Sequence, residues 1–176
     1  MHEIISWLYE FPIYCWLVLV LILLLLWTLS TVKFQNSSVW KTLTVIAFVI
    51  SIVLIVMVTL VFRQTSEDKG FSLIPFSSFE IARIHSDVYQ EVMLNVVLFF
   101  PVGLTMPFVI NRITDHPVII TIITSCILSV LIEIFQYLFN RGYAEIDDVI
   151  FNTLGVVTGS VSFLVFKRFS NHHLII

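Results

Sequence analysis

The chain has 176 residues, 59% hydrophobic and only 12% charged, with a net charge of -3 and a mean hydropathy of +1.02. That much apolar surface would aggregate in water, which excludes an ordinary soluble domain. The acidic balance leaves no basic patch and excludes a nucleic-acid role.

The apolar residues fall in blocks rather than at amphipathic spacing, and a membrane span takes about 20 of them. Five blocks qualify: 13–29, 43–62, 92–110, 118–139 and 149–166. The first is expected to be a retained span rather than a secretory leader. The residues before it include Glu3 and Glu10 and no Lys or Arg, and no small-residue cleavage site follows. The expected fold is all-α: a polytopic membrane protein, one compact bundle of about five transmembrane helices, forming a single domain over 1–176. The connections 111–117 and 140–148 are short, so neighbouring spans should run antiparallel.

Orientation follows from the Lys and Arg of the connections. An outside N-terminus puts Lys33, Lys41, Arg112, Lys167 and Arg168 in the cytoplasm with the C-terminus, against Arg63, Lys69, Arg83 and Arg141 outside. Cys15 and Cys126 lie at different depths, so they are read as buried small hydrophobes rather than a disulfide.

The long connection 63–91 has two parts. Residues 64–70 read as a solvated turn. Phe71 to Phe79, with Ile81 and Ile84, is too apolar for that and is expected in the outer interface, with Pro75 interrupting any helix. The alternative is a loop packed over the bundle mouth. His85 in this connection reads as solvated.

In the third span Glu91 and Asn95 share a face, and Pro101, Gly103 and Pro107 are expected to interrupt the helix. In the fourth, Glu133 lies about 9 Å below the outer helix end. Gln136 follows on the same face, and Arg141 lies in the next turn. A buried carboxylate needs protonation or a cation, and Arg141 or Arg83 is the expected partner. The fifth span opens on Asp147 and Asp148, and Asp148, Asn152, Gly155 and Gly159 form one stripe at helical spacing. Gly155 and Gly159 are small residues four apart, a spacing that brings helices close; with Pro101 and Gly103 they are assigned to packing.

All these polar residues fall in the outer half of the bundle and predict one externally open pocket, lined by Glu91, Asn95, Glu133, Gln136, Arg141, Asp148 and Asn152. Because polar residues do not continue into the inner half, a proton-coupled transporter is disfavoured.

The run Glu133-Ile-Phe-Gln136, Arg141, Ile146-Asp147-Asp148-Val149, Asn152-Thr-Leu-Gly155 and Gly159 resembles the signature of VanZ-like membrane proteins. The run Asn95-Val-Val-Leu98-Phe99-Phe100-Pro101-Val102-Gly103 resembles the family's second signature, and Leu73-Ile74-Pro75-Phe76 the apolar segment that precedes it. Ser72 stands where the family pattern has Asn. The resemblance covers 71–166. It implies a bacterial plasma-membrane location and, from the protein that gives the family its name, lowered susceptibility to the acyl-bearing glycopeptide teicoplanin.

Two function classes follow. In the first, the protein binds or modulates an amphiphile or envelope precursor at the outer leaflet, with membrane lipid as partner, no resident cofactor or metal, and Arg141 and Arg83 available for an anionic headgroup. The alternative is a membrane-embedded enzyme on a lipid or lipid-linked cell-wall precursor. Its catalytic candidates are Glu133 as general acid or base, and Asp147 with Asp148 holding a divalent cation against a phosphate. No Ser or Cys nucleophile lies beside a His at the right depth. The paired Arg and His motifs of lipid phosphatases and the Asp-rich repeat of alcohol phosphotransferases are both missing.

Overall fold

The structure is a computed structural model that describes residues 38–63, 70–83, 87–111 and 113–172, with Asp87 and 169–172 as backbone alone. The expected first span at 13–29, Cys15, the turn residues 64–69 and His85 lie outside the described residues.

Among the described residues four helices are long and apolar enough to cross a membrane. The first, α1 (Ser38–Val56), continues through a π-helical turn, Met57–Val61. A two-residue strand β1 (Phe71–Ser72) and a short helix α2 (Ser77–Ala82) lead to α3 (Asp87–Ile110). Then come α4 (Pro117–Leu138), strand β2 (Ala144–Glu145) and α5 (Ile146–His172). The described residues therefore form a mostly helical membrane protein, as the composition implies.

Lipid has no water to satisfy exposed backbone, so helices are the form these apolar runs take. Their lipid-facing sides stay apolar: Val49, Val53, Ile123, Ile127 and Leu131 are all exposed. The core is small, with Ile55, Phe99, Val102, Ile132 and Val156 buried together.

Helix α3 is not interrupted at Pro101 or Pro107, contrary to expectation. A proline inside a helix removes the N–H that would bond the carbonyl four residues back. For Pro107 that carbonyl is Gly103's, and the Ser160 hydroxyl of α5 donates to it at 3.2 Å. A neighbouring helix thus replaces the missing donor and the helix runs on.

The most extensive contact joins α3 to α5. Gly103 lies against the Val156 carbonyl, Gly155 against the Val96 backbone and Gly159 against the Phe100 carbonyl, each so close that a Cβ would overlap backbone. These glycines let two backbones meet, as their spacing predicts.

The connection 70–83 crosses the end of the bundle. Strand β1 pairs in parallel with β2, Phe71 opposite Ala144 and Ser72 opposite Glu145. The Ala144 N–H donates to the Gly70 carbonyl at 3.0 Å, and the Phe71 ring rests on Tyr137 with centroids 4.2 Å apart. Helix α2 begins directly after Pro75, with Phe76 at a left-handed φ of 66°. The backbone is thus packed over the bundle end while Leu73 and Ile74 remain 70% and 72% exposed. The segment is thus a loop packed over the bundle end, the alternative reading, with apolar side chains turned outward. Cys126 is only half-buried.

Candidate functional site

The last turns of α1 and α4 and the first turns of α3 and α5 meet at one end of the bundle, where the expected polar residues gather. Asp147, in the first turn of α5, is 1% exposed. Its Oδ1 accepts the Phe76 N–H at 2.5 Å and its Oδ2 the Ser78 N–H at 2.8 Å. Both donors belong to the start of α2, where N–H groups lack intrahelical acceptors. Asp147 therefore fixes the apolar segment over the bundle end.

Asp148 projects elsewhere. Its Oδ1 accepts from Asn95 Nδ2 at 2.8 Å, and its Oδ2 lies 3.6 Å from the Arg63 guanidinium. Arg141 donates to the Arg63 carbonyl at 2.5 Å rather than to a carboxylate. Arg63 at the end of α1 is thus held at both its charge and its backbone.

Glu133 is buried, and its Oε2 accepts the Glu145 N–H at 2.9 Å. The expected cation partners are corrected here: Arg141 bonds the Arg63 backbone, Arg83 is exposed beyond α2, and a peptide N–H takes their place. Arg63 is the cation that pairs with Asp148.

Glu145 lies above Glu133, and its Oε2 accepts from the Ser78 hydroxyl at 3.4 Å. Burial pushes its carboxyl above the ordinary carboxylate value, and the negative charge of Asp148 adds to this. Arg63 opposes the rise, the exposed Glu91 adds to it, and the Ser78 hydrogen bond opposes it.

Gln136 is buried and its Nε2 donates to the Thr59 carbonyl at 3.0 Å, in the π-helical turn that continues α1. Asn152 is buried too, and its Nδ2 donates to Ser129 Oγ at 2.9 Å. The single stripe expected on α5 therefore splits: Asp148, Gly155 and Gly159 face α3, while Asn152 at its edge turns to α4.

The structure thus brings together Asn95, Glu133, Gln136, Arg141, Asp148 and Asn152, and sets Asp147 beside them as the anchor of α2. Pro101, Gly103, Gly155 and Gly159 lie deeper, along the α3–α5 seam. The two aspartates diverge, and among the described residues no three or more His, Cys, Asp and Glu are grouped to hold a metal ion.

Ser78, Ser129, Glu145 and Ser160 make their contacts without a clear mark in the sequence pattern, and Arg63 gains a partner that its position in the connection does not predict. One signal for Ser129 was its position four residues before Glu133 on the same face. The reading that polar residues stop in the outer half is also corrected. Thr121 and Ser125 of α4 are buried toward the opposite end. Single hydroxyls barely mark an apolar run, so the continuation is faint in the sequence.

A bundle of membrane-length helices with interlocked carboxylates, amides and guanidinium at one end defines a polytopic membrane protein with a polar mouth. The chain matches the VanZ/LLP1 family model over residues 11–167 and belongs to that family. No curated protein and no solved structure matches it.

Proposed function

We propose that this protein engages an amphiphile or envelope precursor at the outer leaflet of the bacterial plasma membrane, with its N-terminus outside and its C-terminus in the cytoplasm, and so lowers susceptibility to acyl-bearing glycopeptides such as teicoplanin. One observation carries the reading. Asp147 holds the backbone of Phe76 and Ser78, so the exposed apolar residues Leu73, Ile74 and Phe76 are fixed at the end of the bundle that bears Arg63, Asp148 and Asn95.

An amphiphile needs both kinds of surface side by side. The apolar segment meets the chain, and the partly exposed Arg63–Asp148 pair meets the headgroup. Arg63 takes the anion-binding part first assigned to Arg141 and Arg83. Membrane partitioning of an acyl chain is worth about 0.8 kcal/mol per buried methylene, so a protein acting on that partitioning discriminates acylated from unacylated drugs.

Expression in a susceptible Gram-positive host tests this. Protection against teicoplanin should exceed protection against vancomycin, and Asp148→Ala should abolish the difference at unchanged membrane levels. Equal protection against both drugs, or a difference that survives Asp148→Ala, would overturn the reading.

A further inference from the structure

The buried face of α4 carries polar residues well beyond the cluster. Thr121, Ser125, Ser129, Glu133 and Gln136 recur every three or four positions and all are buried. Buried hydroxyls elsewhere in the bundle have an acceptor: Thr44, Ser51, Thr59 and Thr105 each donate to the carbonyl four residues back, and Ser160 donates to the Gly103 carbonyl of α3. The α4 file behaves differently. Thr121 Oγ1 has no partner although the residue is 0% exposed. Ser129 Oγ accepts from Asn152, whose own Oδ1 has no partner, and Gln136 Oε1 has none either.

These three atoms are the buried side-chain oxygens or nitrogens left unsatisfied among the described residues, and all lie on α4 or on the residue bonded to it. Each such group carries a desolvation cost of about 1 to 3 kcal/mol, which internal water relieves. The spacing suits water. Four residues advance a helix by about 6 Å, and one water bonded at about 2.8 Å to each of two hydroxyls bridges that gap. From Thr121 to Glu133 the file runs about 18 Å, more than half of the hydrocarbon thickness of about 30 Å.

We propose that the buried face of α4 holds a single file of water that carries protons between the Thr121 end of the bundle and the carboxylate of Glu133. Each water accepts a proton from one neighbour and passes another on, so no other bond changes. Glu133 receives the proton and returns it to solvent at the polar mouth, where Glu145, Asp148 and Arg63 surround it. The chain is then open to the membrane proton gradient, a property separate from any amphiphile it handles.

The full chain, reconstituted in liposomes with a trapped pH dye, tests this with no drug present. A potassium gradient with valinomycin makes the lumen negative. The lumen should acidify several-fold faster than in protein-free liposomes, and this flux should be lost in Ser125→Leu, whose side chain fills the file, and in Glu133→Gln. Thr121→Val keeps the shape of the side chain and should also lose flux while retaining the parent's helix content and melting temperature. Ser162→Ala should conduct as the parent does, because that hydroxyl is closed on the Thr158 carbonyl. A parent no faster than protein-free liposomes would overturn the proposal, as would full flux in folded Thr121→Val and Ser125→Leu.

Discussion

Asp147 of α5 and Ser78 of α2, 69 residues apart in the chain, are joined by a 2.8 Å bond from the Ser78 N–H to the Asp147 carboxylate, in a buried setting. The Phe76 N–H binds the other oxygen. Removing this carboxylate strands two donors, each bonded to a charged acceptor and worth about 1.5 to 3 kcal/mol. Asp147→Ala should therefore lower stability by about 3 to 6 kcal/mol, and Asp147→Asn, which keeps one acceptor, by less. Thermal unfolding in detergent reads the order, and limited proteolysis should cut first within 70–83.

The α3–α5 seam predicts a contrast among glycines. Gly103→Ala and Gly159→Ala place a methyl group against backbone, which cannot turn aside, and should each cost about 1 to 3 kcal/mol. Gly70→Ala meets the Tyr143 ring, a side chain that can rotate, and should cost less. Melting temperatures of the three variants check the ranking.

Ser160 and Pro107 act on the same carbonyl, that of Gly103, and so should couple. Ser160→Ala should cost about 0.6 to 1.7 kcal/mol, the range for hydrogen bonds between membrane helices. Pro107→Ala restores a backbone N–H to that carbonyl, so Ser160→Ala should cost less in the Pro107→Ala background. A double-mutant cycle of unfolding free energies measures the difference; strict additivity would show that the Ser160 bond does not stand in for the donor that Pro107 lacks.

These pairings mark the border of what the sequence made legible. Density of apolar residues is a strong signal, and the four described spans appear within a few residues of expectation. Their longer N-terminal ends take in polar turns such as Ile146-Asp147-Asp148, whose side chains are satisfied by tertiary partners. Asn95, Glu133, Gln136, Arg141, Asp148 and Asn152 also fall at one end of antiparallel helices by residue position alone. The partners were not legible. Asp147 and Asp148 are neighbours in sequence yet point about 100° apart on a helix, toward different elements. A two-residue parallel strand pair has no local signature, so the pairing of Phe71 with Ala144 was hidden, and with it the partner of Glu133.

The raised carboxyl of Glu145 makes stability depend on pH. Its folded form holds a proton more firmly than the unfolded chain, whose value is the ordinary 4.5. Its contribution is fully present below pH 4.5 and is lost as pH rises toward the folded value. The melting temperature of the parent should fall over that window, and Glu145→Gln should flatten the fall.

In the proposed function an amphiphile meets the polar end of the bundle over the segment that Asp147 holds. Photocrosslinking in intact cells with a phospholipid whose acyl chain carries a photoactivatable group tests it most directly, with peptide mapping of the labelled protein. Labelling should concentrate in residues 71–82 and fall in Asp148→Ala. Labelling spread evenly over the lipid-facing sides of α1, α4 and α5, and unchanged by Asp148→Ala, would contradict it.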